Sequence, residues 1–313
     1  MSEKPAVIVL TGPTAVGKTA LSLRLAETLD GEIVGADSMQ VYRGMDVGTA
    51  KASAKERARV PHHMIDVADP ARDFSVAEYV PMAEAALRGI LARGRLPLIC
   101  GGTGFYIQAL LKGLDFSEER ESGLRRQLQE RMEREGPEAL HRELAKIDPA
   151  AAAAIHPNNR KRVIRALEYH RETGQRISDL NQAQQEQESP YRVLYLVLDL
   201  PRETLYRRIE ERVDQMFAQG LEEEVRALLA QGVPAGSTAM QALGYKEMLD
   251  FLEGRCTREE AADRIKLGSR HYAKRQLTWF RREKDAVWLD KSRFAGEEDL
   301  FRAALALCRE HIG

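Results

Sequence analysis

The sequence predicts an α/β protein, a parallel sheet flanked by helices, with a helical insertion domain and a mostly helical C-terminal region. Three observations carry that expectation. Short apolar runs typical of strands buried on both faces occur at residues 6–10 (AVIVL), 32–38 (EIVGADS), 95–102 (RLPLICGG) and 191–200 (YRVLYLVLDL). Helical periodicity lies between the early runs, and that alternation demands crossover connections and parallel strands. Between about 116 and 190 no strand-like run occurs.

In chain order, residues 6–10 end at Thr11-Gly12-Pro13, and a helix starts at Lys18, with Leu21, Leu25 and Leu29 four apart. The strand at 32–38 follows, then a helix over 75–93, then the strand at 95–102. Residues 118–146 are rich in Glu, Arg, Leu and Gln at helical spacing, and the helical signal continues over 150–154 and 159–173. Residues 181–188 (NQAQQEQE) are expected to form a polar linker or loop tip. The core is expected to comprise residues 1–115 and 191–313, and the insertion 116–190. In the tail, 220–232 and 269–282 are the clearest helices.

Composition sets the class. The chain has 313 residues, 47 Lys and Arg against 48 Asp and Glu, with 43% hydrophobic and 30% charged residues. That describes a globular chain, neither disordered nor fibrous. Cys100, Cys256 and Cys308 are widely spaced and match no zinc pattern, which suits a reducing cytoplasm. No apolar run reaches membrane-spanning length. His62 and His63 are adjacent on an extended segment and point to opposite faces, so they are poor joint metal ligands and are read as a structural loop feature.

The strongest motif is Gly12-Pro13-Thr14-Ala15-Val16-Gly17-Lys18-Thr19, a full match to G-x-x-x-x-G-K-[ST] between a buried strand and a helix. Glycine turns aim consecutive N–H groups inward, and the helix N-terminus adds positive potential for a di- or triphosphate. Lys18 adds a full charge, and the Thr19 hydroxyl can ligate Mg²⁺. The fold is therefore expected to be P-loop NTPase-like, with nucleotides such as ATP among candidate ligands. A phosphoryl-transfer enzyme usually carries a metal-binding acid at a second strand end. The strand at 95–102 ends instead in Gly101-Gly102-Thr103-Gly104. Asp37, in Gly35-Ala36-Asp37-Ser38-Met39-Gln40, is the acid at a strand end close to the loop. Both it and Thr103 would face the ligand crevice at the carboxyl ends of the strands. Asp37 has two readings that the residues leave open: a turn-capping side chain, or a general base.

Two segments are locally basic. Residues 158–165 (NNRKRVIR) place Lys161, Arg162 and Arg165 on one helical face and Val163, Ile164 and Leu167 on another. Residues 264–284 hold eight Lys or Arg and one acid, interleaved with Tyr272, Trp279 and Phe280, with Arg270, Lys274 and Arg281 on one stripe. Cations can contact phosphates and aromatics can stack on unpaired bases. For Trp279 core packing is the expected role. The balanced total charge does not exclude RNA, because the excess is local.

Taken in order, GPTAVGKT, GADSMQVYRGMDVGTAK (35–51), PHHMIDV (61–67), FSVAEY (74–79), GGTGFYIQALLKGL (101–114), KRVIRALEYHRETG (161–174), RVDQMFAQGLEEEV (212–225), QALGYKE (241–247) and KRQLTWFR (274–281) closely resemble the bacterial tRNA dimethylallyltransferase (tRNA isopentenyltransferase) family over residues ~6–285. The resemblance implies transfer of the dimethylallyl group of dimethylallyl diphosphate to N6 of the adenine immediately 3′ of the anticodon in tRNA, releasing diphosphate. It implies that Gly12–Thr19 hold the diphosphate, with Mg²⁺ at Thr19. Asp37 would accept a proton from the amine or orient it, and Thr103 would bond in the reaction channel. tRNA would meet Asp37, Ser38, Met39 and Gln40, then Lys161, Arg162, Val163, Ile164 and Arg165 of the insertion. Further contacts are implied at Gln241, Gly244, Tyr245 and Lys246, and at Lys274, Arg275 and Arg281. The family works as a cytoplasmic monomer, and no zinc finger is expected here. Two other functions compete: an ATP-dependent small-molecule kinase, with Asp37 as base, and a non-catalytic RNA-binding NTP switch. The acid-free end of the strand at 95–102 argues against the first and the GGTGFY block against the second.

Overall fold

The computed structural model of the chain describes residues 4–114 and 123–313, so the expected start of the insertion at 116 lies outside the described residues. The chain divides into two compact units, residues 1–113 with 189–313, and residues 114–188.

The first unit begins with β1 (Ala6–Thr11), which is buried apart from its first residue and runs into α1 (Lys18–Thr28). Next come β2 (Gly31–Gly35), the short α2 (Ala54–Arg59), β3 (His62–His63), α3 (Val76–Ala92), β4 (Leu96–Cys100) and α4 (Gly104–Lys112). Both α2 and α3 start on a serine capping box, Ser53 with Glu56 and Ser75 with Glu78, which satisfies orphan N–H groups reciprocally.

The second unit is helical: α5 (Gly123–Glu135), α6 (Pro137–Ile147), α7 (Pro149–Ala154), α8 (Arg160–Thr173) and α9 (Ile177–Glu186). Leu128, Leu140, Leu144, Val163 and Leu167, all fully buried, form its core. The glutamine-rich stretch expected to be a linker is instead helical as far as Glu186. Asp148 fixes the start of α9 by accepting from Ser178 N at 2.9 Å, and Ile177 is buried beneath it. Glutamine is a good helix former, so once the start is anchored the polar tract continues it.

The first unit resumes with β5 (Arg192–Asp199), α10 (Arg202–Ala218), α11 (Leu221–Ala230), α12 (Tyr245–Leu252), α13 (Arg258–Phe280), β6 (Val287–Asp290) and α14 (Glu297–Ile312). All six strands pair in parallel in the order β3-β2-β4-β1-β5-β6, with Leu10 opposite Cys100 and Gly35 opposite Cys100. The sequence missed two edge strands. His62–His63 pair with Ile33 and Val34, and residues 287–290 pair with Leu196–Asp199. Both are too short to show a period. The histidines are therefore strand residues, one on each face as expected: His62 Nδ1 meets Val60 O at 2.7 Å, and His63 Nε2 meets the Glu32 carboxylate at 2.6 Å.

Candidate active site at the carboxyl rim of the sheet

Hydrogen bonds, two of them backbone to backbone, stitch three loops together where β1, β2 and β4 end. Ala36 N donates to Cys100 O at 2.9 Å, Thr103 N to Ala36 O at 3.0 Å, and Thr11 Oγ1 to Gly101 O at 2.7 Å. The glycines of residues 101–104 make this closeness possible. A Cβ on Gly101 would stand 2.1 Å from Ala36 O, and one on Gly104 would stand 2.1 Å from Trp279 Cδ1.

Residues 12–17, within the motif 12–19, form a tight turn between β1 and α1. Gly17, at φ +101°, turns the chain into α1, and the backbone of Gly12 lies against β5, where a Cβ would come within 2.5 Å of Leu198 O. Lys18 Nζ donates to Gly12 O and Pro13 O at 2.9 Å each. Burial pushes its pKa down from the ordinary lysine value to about 8. Nearby Arg212 lowers it further, while Asp37 and Cys100 oppose that shift. The Thr19 hydroxyl sits half-buried in the first turn of α1.

Asp37 fulfils the turn-capping reading: its Oδ1 accepts from Met39 N at 2.9 Å and Gln40 N at 3.3 Å. Its charge also acts on both Lys18 and Arg212, so the carboxylate belongs to the phosphate-loop cluster. Thr103 Oγ1 accepts from Ser38 N at 3.0 Å and lies 3.3 Å from Ser38 Oγ. Asp37, Ser38 and Thr103 thus form one group, and Gln40 ties its amide to Thr49 O at 3.1 Å. Lys51, its side chain almost fully buried, holds the loop 40–66 through Tyr42 O, Asp46 and Asp66.

Several site residues escaped the sequence reading. Arg212 Nη1 donates to Thr14 Oγ1 at 3.3 Å, and burial lowers its pKa. Lys291 Nζ donates to Val16 O at 3.2 Å and pairs with Glu297 at 2.7 Å. Gln276 accepts from Thr14 N at 2.8 Å and donates to Gly102 O at 2.9 Å. Arg212 and Gln276 lie inside the family-like blocks 212–225 and 274–281, where basic and aromatic residues drew the attention instead. Lys291 carried no signal.

The remaining candidates divide by exposure. Lys161 and Arg162 are exposed on α8, and Arg165 pairs with Glu168 at 3.7 Å. Val163 and Ile164 are buried in the core of the second unit, and Tyr245 in that of the first, so their side chains leave the expected RNA face. The Tyr245 hydroxyl donates to Glu224 at 2.6 Å, and the same carboxylate accepts from the N–H groups of Asp46, Val47 and Gly48. Gly244 supplies the φ of +98° at the start of α12, Gln241 bonds to Ala235 O, and Lys246 is exposed beside Glu247. On α13, Arg270 is ion-paired with Glu210 at 2.7 Å. Lys274, Arg275 and Arg281 are exposed. Lys274 and Arg275 line a groove of about 470 Å³ with His271, Thr278, Trp279 and Arg282. Trp279 is half-buried, packed on Gly104 and edge-on to Phe105.

A glycine-rich loop with Lys18, Arg212 and the Asp37 carboxylate gathered about it narrows the chemistry, and relatives decide the family. The IPP transferase profile matches residues 40–283, and an isopentenyl transferase profile matches residues 5–66. The chain belongs to the IPP transferase family. It is 47% identical over 305 residues to the tRNA dimethylallyltransferase of Lachnoclostridium phytofermentans, covering 97% of each chain. It is 51% identical over 291 residues to that of Thermomicrobium roseum, covering 93% of this chain and 88% of the other. Among solved structures, the tRNA isopentenylpyrophosphate transferase of Bacillus halodurans superposes with a TM-score of 0.73 at 43% identity, covering 99% and 98% of the two chains. A eukaryotic dimethylallyltransferase acting on tRNA gives 0.85 at 30% identity, covering 98% of this chain and 79% of that one. As an IPP transferase the chain is a transferase enzyme, and the kinase alternative falls away. Among the described residues, no helix is long and apolar enough to cross a membrane.

Proposed function

We propose that this chain transfers the dimethylallyl group of dimethylallyl diphosphate to N6 of the adenine 3′ of the anticodon in tRNA. The observation that carries this reading is the juxtaposition of Asp37 and Thr103 with the phosphate loop, in a chain whose relatives are tRNA dimethylallyltransferases. N6 attacks the allylic carbon, the carbon–oxygen bond breaks, diphosphate leaves, and the amine's proton passes to Asp37. Asp37 Oδ1 is occupied by the turn, which orients the carboxylate and leaves Oδ2 for the proton. Lys18 and Arg212 offset the charge that grows on the leaving diphosphate. The adenine must leave its stack to reach this rim, as substrates of base-flipping enzymes do, and Ser38, Met39 and Gln40 stand beside Asp37 to meet it.

The donor set suits magnesium carried in with the diphosphate. Among the described residues no group of three or more His, Cys, Asp or Glu side chains is placed to hold a metal ion, and magnesium is commonly bound through one or two protein oxygens plus phosphate oxygens. Thr19 would hold it, and the ion would supply further charge neutralisation at the diphosphate. Lys161, Arg162 and Arg165, with Lys274, Arg275 and Arg281, supply tRNA backbone contacts. The enzyme acts as a cytoplasmic monomer. Incubation with unmodified tRNA and labelled dimethylallyl diphosphate should place label in RNA. Label arriving from ATP instead, or none from the prenyl donor, would overturn the proposal.

A further inference from the structure

Gln276 joins two loops that arise at opposite ends of the site's chemistry. It lies on α13, 262 residues from Thr14 and 174 from Gly102, yet bonds to both, and only 5% of it is exposed. Thr14 N belongs to the phosphate loop ahead of Gly17–Thr19, where the N–H groups of the helix N-terminus gather. Gly102 precedes Thr103, which holds Ser38 beside Asp37. The contact on the Gly102 side is tight: a Cβ there would come within 2.2 Å of Gln276 Nε2, so the amide would have to give way. Tyr272, one turn earlier on α13, feels Asp37 and borders Thr103 and Gln276, and Trp279, one turn later, fills the space over Gly104. One face of the helix is thus wedged between the loops.

We infer that Gln276 is a positioning residue that sets the gap between the diphosphate loop and the Asp37–Thr103 group. This rests on the transfer reading above. In a displacement between two separately bound molecules, that gap fixes the distance from N6 to the allylic carbon. A small error there slows the reaction steeply while leaving each partner's own contacts intact. Gln276 bonds at the third residue of the loop, so it need not move when diphosphate occupies the N–H groups nearer the helix.

The test uses Gln276→Met, which keeps the volume and loses both bonds, and Gly102→Ala, which pushes the Gln276 amide aside without changing the residue itself. In the full chain, either change should speed amide hydrogen exchange in residues 11–19 and 101–104 together, without any substrate. Against prenylation, kcat should fall about 10–100-fold, while affinity for inorganic diphosphate and the KM for tRNA stay within threefold. The double variant should be no slower than the worse single one, because both break the same bridge. Unchanged exchange in a folded Gln276→Met protein overturns the inference, as do multiplicative losses, or a loss of diphosphate affinity that matches the loss of rate. Because exchange needs no turnover, a wild-type chain that transferred no prenyl group would count against the transfer reading alone.

Discussion

The carboxyl rim of the sheet and the basic faces of α8 and α13 both carry positive charge, but they hold it differently. At the rim, Lys18, Arg212 and Lys291 are substantially buried and hydrogen-bonded to the loop they serve. On the helices, Lys161, Arg162, Lys274, Arg275 and Arg281 are exposed. Buried, fixed charges act on a developing charge at short range, whereas exposed ones act through screened attraction to a polyanion. Substitutions at the rim should therefore change rate, and those on the faces should change affinity and its salt dependence.

The largest effect should come from Asp37. Asp37→Asn keeps an acceptor for Met39 N and Gln40 N while removing the base, and should lower single-turnover prenylation about 10²–10⁴-fold with tRNA affinity near wild type. A rate within threefold of wild type would leave Asp37 as a turn residue only. Next, two charge reversals, Lys274→Glu with Arg281→Glu, should weaken tRNA binding about 10–100-fold. The slope of log K against log salt should flatten by roughly two. An unaltered slope would remove α13 from the RNA face.

The rim should also respond to pH. Lys18 is charged below its pKa of about 8 and neutral above it, so diphosphate affinity, measured by calorimetry, should hold below pH 8. Above it, affinity should fall about tenfold per unit, as expected for loss of one required proton. A flat profile from pH 7.5 to 9.5 would show that Lys18 keeps its charge. The smallest effect on catalysis should come from the far end of β2, the strand that leads to Asp37. Glu32 is buried, a cost that raises its pKa, but Arg93, His63 and Arg95 outweigh this and hold it at about 2. Its charge therefore stabilises the fold above the ordinary carboxylate range, and that contribution is lost only as pH falls toward 2. Glu32→Gln should cost about 1–3 kcal/mol in denaturant unfolding and leave kcat unchanged. A fall in kcat with unaltered stability would contradict the separation.

What the sequence could show follows the same division. Long apolar strands, capped helices and the phosphate loop are local signals, and β1, β2, β4 and β5 appear where periodicity and composition put them. The two-residue β3 and four-residue β6 exist through pairing with Ile33, Val34 and Leu196–Asp199, which no window along the chain displays. The site behaves alike: Asp37 and Thr103 follow strand ends and were legible, whereas Arg212, Gln276 and Lys291 reach the loop from residues 198 or more positions away. Burial corrected the other side of the ledger. Val163, Ile164 and Tyr245 sit in family-like blocks for the sake of packing, and Arg270 pairs with Glu210.

Single-turnover prenylation of unmodified tRNA, compared for Asp37→Asn and the Lys274→Glu/Arg281→Glu pair across a range of protein concentrations, separates rim from face. Asp37→Asn should remain slow at saturation, while the charge-reversed protein should climb back to near the wild-type rate. The opposite pattern, with Asp37→Asn rescued by concentration and the reversed pair slow throughout, would contradict the assignment of chemistry to the rim and binding to the helices.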